Sequence, residues 1–560
     1  MTASNLASKA ARLAQNLPAE IEAWIAGIVA SRRLSALTIL LVSLVVFLPG
    51  FVSIGPLDRD EPRFAATAHH MVETEDYLAA APSVGAGLAP SVAVLWLQAT
   101  AVKLFGNEAS IWVYRVPSLL GALAAALATW WMALAFGRPR AAFFAALIFA
   151  FTPLLVAEAH LAKAEALLLA AIILAQGVLA RLWLRKTGTA NYWLAALFWT
   201  AVLVGVLSKA LPAIAAIGLT VLTLSAYSRS FAWLRGVAPL GGAIGAATVL
   251  LLCAGLLLLG GGDPGTFLEG AALQEDYNAP PGTYAVLFYP LFGPAGVFVA
   301  LAMPAVLERV RRPVFAFAIA CVVPYWLLAE LLPDKLPPYI LPAYPALALL
   351  AGTAIDETRL RITGWLSTYF ALNLSIWPVL VACGGTALFF VAEDRLPIGA
   401  IPFFIAAIVV GVYSFRWLYR GILVSGSAAL ALLSTALIYV GLFGVLLPGM
   451  DALRVAERIV AAGRASASCE KPLMVAVGYP EPSLLFESDS GLKIVTPAAA
   501  ADFLGEGGCR VALVEARRQA IFNQRVADIG LEVEVRGAVR GFNLGNWRTV
   551  NMRIFTVPGT

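Results

Sequence analysis

Residues 141–182 read AAFFAALIFAFTPLLVAEAHLAKAEALLLAAIILAQGVLARL. Two apolar runs, 141–157 and 164–182, flank a short turn that carries Glu158, His160 and Lys163. Each run is long enough, or nearly so, to cross the roughly 30 Å hydrocarbon core of a bilayer as a helix. Working outward from this pair, similar runs occur at about 36–54, 110–136, 191–208, 211–227, 236–260, 284–306, 313–332, 338–355, 364–391, 398–415 and 421–448. The sequence therefore predicts an all-α polytopic membrane protein of about thirteen transmembrane helices.

Composition agrees. The chain is 60% hydrophobic and only 13% charged, with mean hydropathy +0.83, whereas soluble domains carry about a quarter charged residues. A soluble multidomain enzyme is excluded. The net charge of +5 does not point to nucleic acid, because the basic residues sit in small groups between apolar runs. Arg32 and Arg33, Arg138 and Arg140, Arg181 with Arg185 and Lys186, Arg229 and Arg235, Arg309 with Arg311 and Arg312, Arg359 and Arg361, and Arg416 and Arg420 all fall in alternate connections. By the positive-inside rule these connections face the cytoplasm. Residues 1–34 then form a cytoplasmic amphipathic segment and 35–448 the transmembrane domain, with external loops at 55–109 and 261–283.

After Pro448 the pattern changes. Asp451–Arg464 is helix-like, and Leu473–Gly478, Arg510–Val514 and Leu531–Arg536 are strand-like, so 449–560 reads as a small α/β domain outside the membrane. Cys253, Cys321 and Cys383 sit in apolar runs, where a thiol is a small core hydrophobe. Cys469 and Cys509 lie in polar sequence; they are the natural disulfide pair in an oxidising compartment, with two separate thiols as the alternative. No CxxC occurs, and His69, His70 and His160 do not make a zinc signature.

Ionisable residues next to membrane helices are functional candidates, and here they gather on the external side. Asp58, Asp60 and Glu61 precede Pro62 and Arg63 where a helix should begin, more charges than a cap requires. Lys163 and Glu165 open the span at 164–182. Lys209 sits between two spans, and Lys335 lies on a proline-rich turn before Tyr339. Acids from one loop and lysines from three others suit a reaction on a lipid-linked phosphate: the lysines hold the anion while a carboxylate activates or orients the acceptor.

Several stretches carry a resemblance. Leu57-Asp-Arg-Asp-Glu-Pro-Arg-Phe64, Tyr114-Arg-Val-Pro-Ser-Leu-Leu-Gly121, Ala162-Lys-Ala-Glu-Ala-Leu-Leu-Leu169, Ala279-Pro-Pro-Gly282 and Lys335-Leu-Pro-Pro-Tyr-Ile-Leu-Pro342 are the most specific. With these, the chain resembles the bacterial lipid-linked-sugar glycosyltransferases related to protein O-mannosyltransferases and to the lipid A aminoarabinose transferase, of GT-C type. The resemblance implies Asp60, with Glu61, as the catalytic acids, and Arg63, Lys163, Lys209, Lys335 and Tyr339 around the donor phosphate, with Glu165 and Glu269 in support. It implies a polyprenyl-phosphate-linked sugar donor and a glycolipid, polysaccharide or protein acceptor outside a bacterial inner membrane, with the C-terminal domain in the periplasm. The chain also departs from such relatives. Gly87-Leu-Ala-Pro-Ser91 stands where they carry a lysine-proline motif, and Asn278 and Pro338 stand where some carry histidine. No cofactor is expected from these residues, and a divalent metal is left open. A weakened or inactive paralogue that binds a polyprenyl lipid or a partner protein is the alternative reading.

Overall fold

The computed structural model describes residues 3–57, 60–77, 91–107, 109–185, 191–259, 279–357, 360, 362, 364–488, 492–543 and 548–558. Helix α1 (Ala3–Ala30) meets α2 (Arg32–Phe47) at 112°, with Ser31 capping the second helix. From Leu17 onward α1 buries Ile25 and exposes Trp24, the two-faced pattern of a helix lying along an interface. Next come α3 (Asp60–Thr74), α4 (Val92–Phe105), α5 (Ile111–Leu134), α6 (Pro139–Ala150), α7 (Pro153–Ala159), α8 (Glu165–Arg185), α9 (Tyr192–Ser228) and α10 (Pro239–Leu259). The helical part is completed by α11 (Gly296–Glu308), α12 (Pro313–Leu331), α13 (Tyr344–Asp356), α14 (Trp365–Glu393), α15 (Ile401–Tyr419) and α16 (Val424–Tyr439). One large core of alanine, leucine and phenylalanine side chains joins them.

By length and apolarity, eight described helices can cross a membrane, or ten if the bent pairs α1/α2 and α6/α7 (62°) each count once. The expected thirteen is not reached on these grounds, and three local features account for the difference. The expected span 236–260 falls on α10, of which Pro239–Leu252 counts only as a shorter apolar helix. The expected span 284–306 is broken into two short turns, Thr283–Val286 and Phe288–Phe292, before α11. The expected pair 191–208 and 211–227 forms the single element α9, interrupted at Lys209 by extended backbone (φ −153°, ψ 108°).

That interruption is a reversal. A straight helix over Tyr192–Ser228 would be about 55 Å long. Yet the Asn191 N–H donates to Gly236 O (3.3 Å) and Trp199 Nε1 to Val237 O (2.9 Å). The few residues after Ser228 reach back no more than about 30 Å even when extended. A Cβ at Gly205 would also stand 3.1 Å from that of Ala213, whereas eight residues along a straight helix span about 12 Å. The two limbs of α9 therefore lie antiparallel, with Lys209 at the apex.

The C-terminal domain comprises α17 (Val455–Ala465), β1 (Leu473–Val477), α18 (Pro482–Glu487), β2 (Leu492–Ile494), α19 (Pro497–Gly505), β3 (Arg510–Glu515), α20 (Gln519–Asp528), β4 (Glu534–Asn543) and β5 (Arg548–Thr556). The sheet order is β2-β1-β3-β5-β4. The first three strands are parallel (Met474 opposite Leu492 and Val511), and β5 runs antiparallel to both β3 and β4. One face buries Ile459 of α17 with Met474 and Leu513; the other buries Leu504 and Phe522 with Val475 and Val514. Both faces are covered, as alternating helices and parallel strands require. The strand expected at 531–536 begins at Glu534 and runs on to Asn543, while β2 and β5 were not expected. Cys469 and Cys509 form a disulfide that ties the entries of β1 and β3.

Candidate active site

The segment Tyr114–Gly121 organises the site because Arg115, Ser118 and Gly121, spaced by three residues, follow one another along the same side of α5. Arg115 and Glu61 are both fully buried and ion-paired, Nε to Oε1 at 2.7 Å. The other Arg115 donors reach Glu61 Oε2 (3.0 Å) and the carbonyls of Phe51 (3.3 Å), Ile54 (2.7 Å) and Gly55 (2.9 Å), so all five N–H groups are used. Glu61 also accepts from the N–H groups of Leu57 (3.0 Å) and Ala162 (2.9 Å). One turn further, Ser118 Oγ donates to Lys163 O (2.9 Å) and accepts from its N–H (3.3 Å). At Gly121 a Cβ would meet Leu167 N at 2.7 Å, so glycine lets α8 start against α5.

This corrects one expectation. Glu61 was paired with Asp60 as a catalytic acid, but its carboxylate is enclosed and saturated by four donors. It is a brace that holds the start of α3 against α5 and the turn before α8.

Asp60, one residue earlier, points the other way and is a third exposed. Its Oδ1 lies 3.4 Å from Arg63 Nη1 and its Oδ2 3.7 Å from Lys163 Nζ. Lys163 interacts electrostatically with Glu165, whose Oε1 lies 2.5 Å from Lys209 Nζ at the α9 apex. Glu165 Oε2 is buried without a hydrogen-bond partner. Tyr339 is half-buried and within electrostatic reach of Lys209. The returning first loop is fixed here too, since Ser91 Oγ donates to Ser208 O (2.8 Å) beside the apex. Arg63, Asp60, Lys163, Glu165 and Lys209 thus form a row of alternating charge, three cations to two anions, from α3, the α7–α8 turn and α9. A row with one excess cation suits a phosphate group.

Lys335 does not join it. Its Nζ donates to the carbonyls of Ala329 (3.1 Å), Glu330 (2.7 Å) and Leu332, so all three protons cap the end of α12. The nearby Glu330 carboxylate accepts from the N–H groups of Gly282 (2.8 Å), Tyr284 (3.0 Å) and Ala285 (3.2 Å), anchoring the Ala279–Gly282 turn. Lys335→Met is therefore expected to lower the melting temperature, through loss of charged hydrogen bonds worth about 1.5–3 kcal/mol, with phosphate affinity at the charge row unchanged. Lys209→Met should instead weaken that affinity. Melting curves and titrations of the two variants with a polyprenyl phosphate check this, and a weakened affinity for Lys335→Met would return it to the phosphate site.

Glu269, with Asp58 and residues 87–90, lies outside the described residues. Among the described residues no group of three His, Cys, Asp or Glu is placed to hold a metal ion. Arg115, Ser118 and Glu330 were not singled out from sequence. The usable signal was an arginine inside an apolar run, and likewise a glutamate near the end of one, because charge in a membrane requires a partner.

The C-terminal domain closes over this region. Helix α18 packs on α3, and Phe486 meets Tyr114 edge to face at 5.5 Å, while Tyr114 Oη lies 3.2 Å from His69 Nδ1.

Residues 89–256 match the dolichyl-phosphate-mannose-protein mannosyltransferase family. They include Arg115, Lys163, Glu165 and Lys209. No curated protein matches the sequence. The structure is similar to ArnT from Cupriavidus metallidurans in its apo state, with TM-score 0.71 at 18% identity, over 95% of this chain and 98% of that one. It is similar to the same protein bound to undecaprenyl phosphate, with TM-score 0.68 at 20% identity, over 92% and 97% of the two chains. The resemblance carried by the sequence motifs is thus met by a family segment over 89–256 and by a whole-chain likeness in fold to ArnT.

Proposed function

We propose that the protein transfers a sugar from a polyprenyl phosphate to an acceptor on the outer side of a bacterial inner membrane. The observation that carries this reading is the charge row Arg63–Asp60–Lys163–Glu165–Lys209, assembled from three separate segments at one end of the bundle. In the reaction, Asp60 takes the proton of the acceptor hydroxyl as the new bond to the sugar's anomeric carbon forms. The bond from that carbon to the phosphate oxygen breaks, and the electron pair leaves with the polyprenyl phosphate. Lys209, Lys163 and Arg63 stabilise the charge that develops there, with Tyr339 at the edge of the same space. The undecaprenyl phosphate bound by ArnT supports the class of donor. The acceptor is a glycolipid, polysaccharide or protein.

The proposed topology has thirteen crossings, counting the two α9 limbs separately and including α10 and α11, with α1 in the cytoplasmic interface and the C-terminal domain periplasmic. The basic connections support this orientation. Transfer from a radiolabelled polyprenyl-phosphate sugar into an envelope fraction tests the function. Label retained on the protein as intact donor, with none transferred, would replace it with the lipid-binding reading.

A further inference from the structure

A charged cavity lies at the far end of the bundle from the charge row. Helix α2 leads from Arg32 at that end to Pro49, whose carbonyl lies 2.8 Å from His160 Nε2 at the active-site end. The cavity has a volume of about 920 Å³ and is lined by Ala26 and Val29 of α1 together with Arg138, Arg140, Arg312 and Asp356.

Its charges are only partly spent on one another. Arg138 Nη1 contacts Asp356 (2.9 Å) and Glu357 (3.2 Å), Arg312 Nη1 contacts Glu357 (2.7 Å), and Arg309 Nη1 reaches the same glutamate (3.5 Å). Arg140 pairs with Glu22 on α1, and its Nε is buried without a partner. Four guanidinium groups therefore face three carboxylates. Arg138 and Arg312 keep about two fifths of their side-chain surface exposed, 41% and 42%. Helices α6 and α12 both begin beside it, with the lining residues Arg138 and Arg312 at their N-cap positions and no side-chain cap hydrogen bond, so the positive ends of two helix dipoles lie near the cavity. Excess guanidinium charge, an unspent buried donor and two helix N-termini are the components of a phosphate site. The wall formed by α1, with Trp24 and Leu17 exposed on its outer side, supplies an interfacial surface for lipid chains.

We propose that this cavity binds a phosphate-bearing anion, presented by the headgroup of an anionic phospholipid, and that the lipid pins α1 to the bundle. The inference is independent of the transferase reading.

Native mass spectrometry of the full-length protein from mixed phosphatidylcholine and phosphatidylglycerol micelles tests it. One phosphatidylglycerol should be retained in about tenfold preference, the effect of one well-placed charged contact. Arg138→Gln combined with Arg312→Gln should bring the two lipids to parity, whereas Arg416→Gln, at the same membrane face but outside the cavity, should not. Inorganic phosphate supplies a further arm. Failure to displace the lipid supports the headgroup source, and displacement supports the anion site with free phosphate able to enter it. Parity between the lipids on the unmodified protein overturns the proposal, and this reading stands even if the double variant does not fold. Persistence of the preference in a folded double variant overturns it as well.

Discussion

Asp60→Asn is expected to lower sugar transfer by about 10²–10⁴-fold, the range for loss of a positioned general base, while expression, insertion and donor binding persist. The amide keeps the shape of the carboxylate and cannot take the acceptor proton. It also removes one negative charge from the row, leaving Arg63 and Lys163 without their shared counter-ion. The row becomes more positive, so the donor phosphate should be held at least as tightly. Because Asp60 is a third exposed, the fold does not lean on it. The expected signature is a fall in kcat with an equal or lower KM for donor, read by transfer of radiolabel under saturating and limiting donor. Transfer equal to that of the unmodified protein would remove Asp60 from the mechanism. A raised donor KM with unchanged kcat would reassign it to binding.

Much of the helical architecture was legible because membrane burial needs continuous apolar runs, and such runs survive in sequence whatever their partners are. What was not legible depended on partners far away in the chain. Lys209 and Lys335 look alike as lysines in short turns between apolar runs. The first stands opposite Glu165, 44 residues away, and the second folds back onto carbonyls three to six residues before it. Only the path of the backbone distinguishes them. The α9 reversal, by contrast, was legible, because the runs 191–208 and 211–227 are each nearly long enough to span and part at Lys209, just ahead of Pro212. Strands β1 and β3 showed as buried apolar runs, whereas β5, with Arg548, Asn551 and Arg553 interleaved, reads as a polar segment and is recruited by pairing with β3 and β4. Asp60 and Glu61 are the sharpest case: adjacent acids on an opening helix turn their side chains to different neighbours, and sequence cannot say which one turns inward.

That difference yields the opposite prediction for the residue next door. Arg115→Met should destabilise the protein by about 3–5 kcal/mol, the range for removing one member of a buried pair. It strands the Glu61 carboxylate without charge compensation and takes donors from the carbonyls of Phe51, Ile54 and Gly55, where bilayer and core leave little water to replace them. Melting in detergent should fall well below that of Asp60→Asn. Transfer should fall too, because Glu61 also holds the Ala162 N–H, and Lys163 is the next residue. Glu61→Leu alone buries an unpaired guanidinium and should be as severe. The double variant removes both charges and should cost less than the sum of the two single changes, since only neutral N–H and C=O groups are then left unsatisfied. Additive losses would show that Arg115 and Glu61 act separately. A single Arg115 variant with normal melting and abolished transfer would place this pair in the chemistry and dismiss it as a brace.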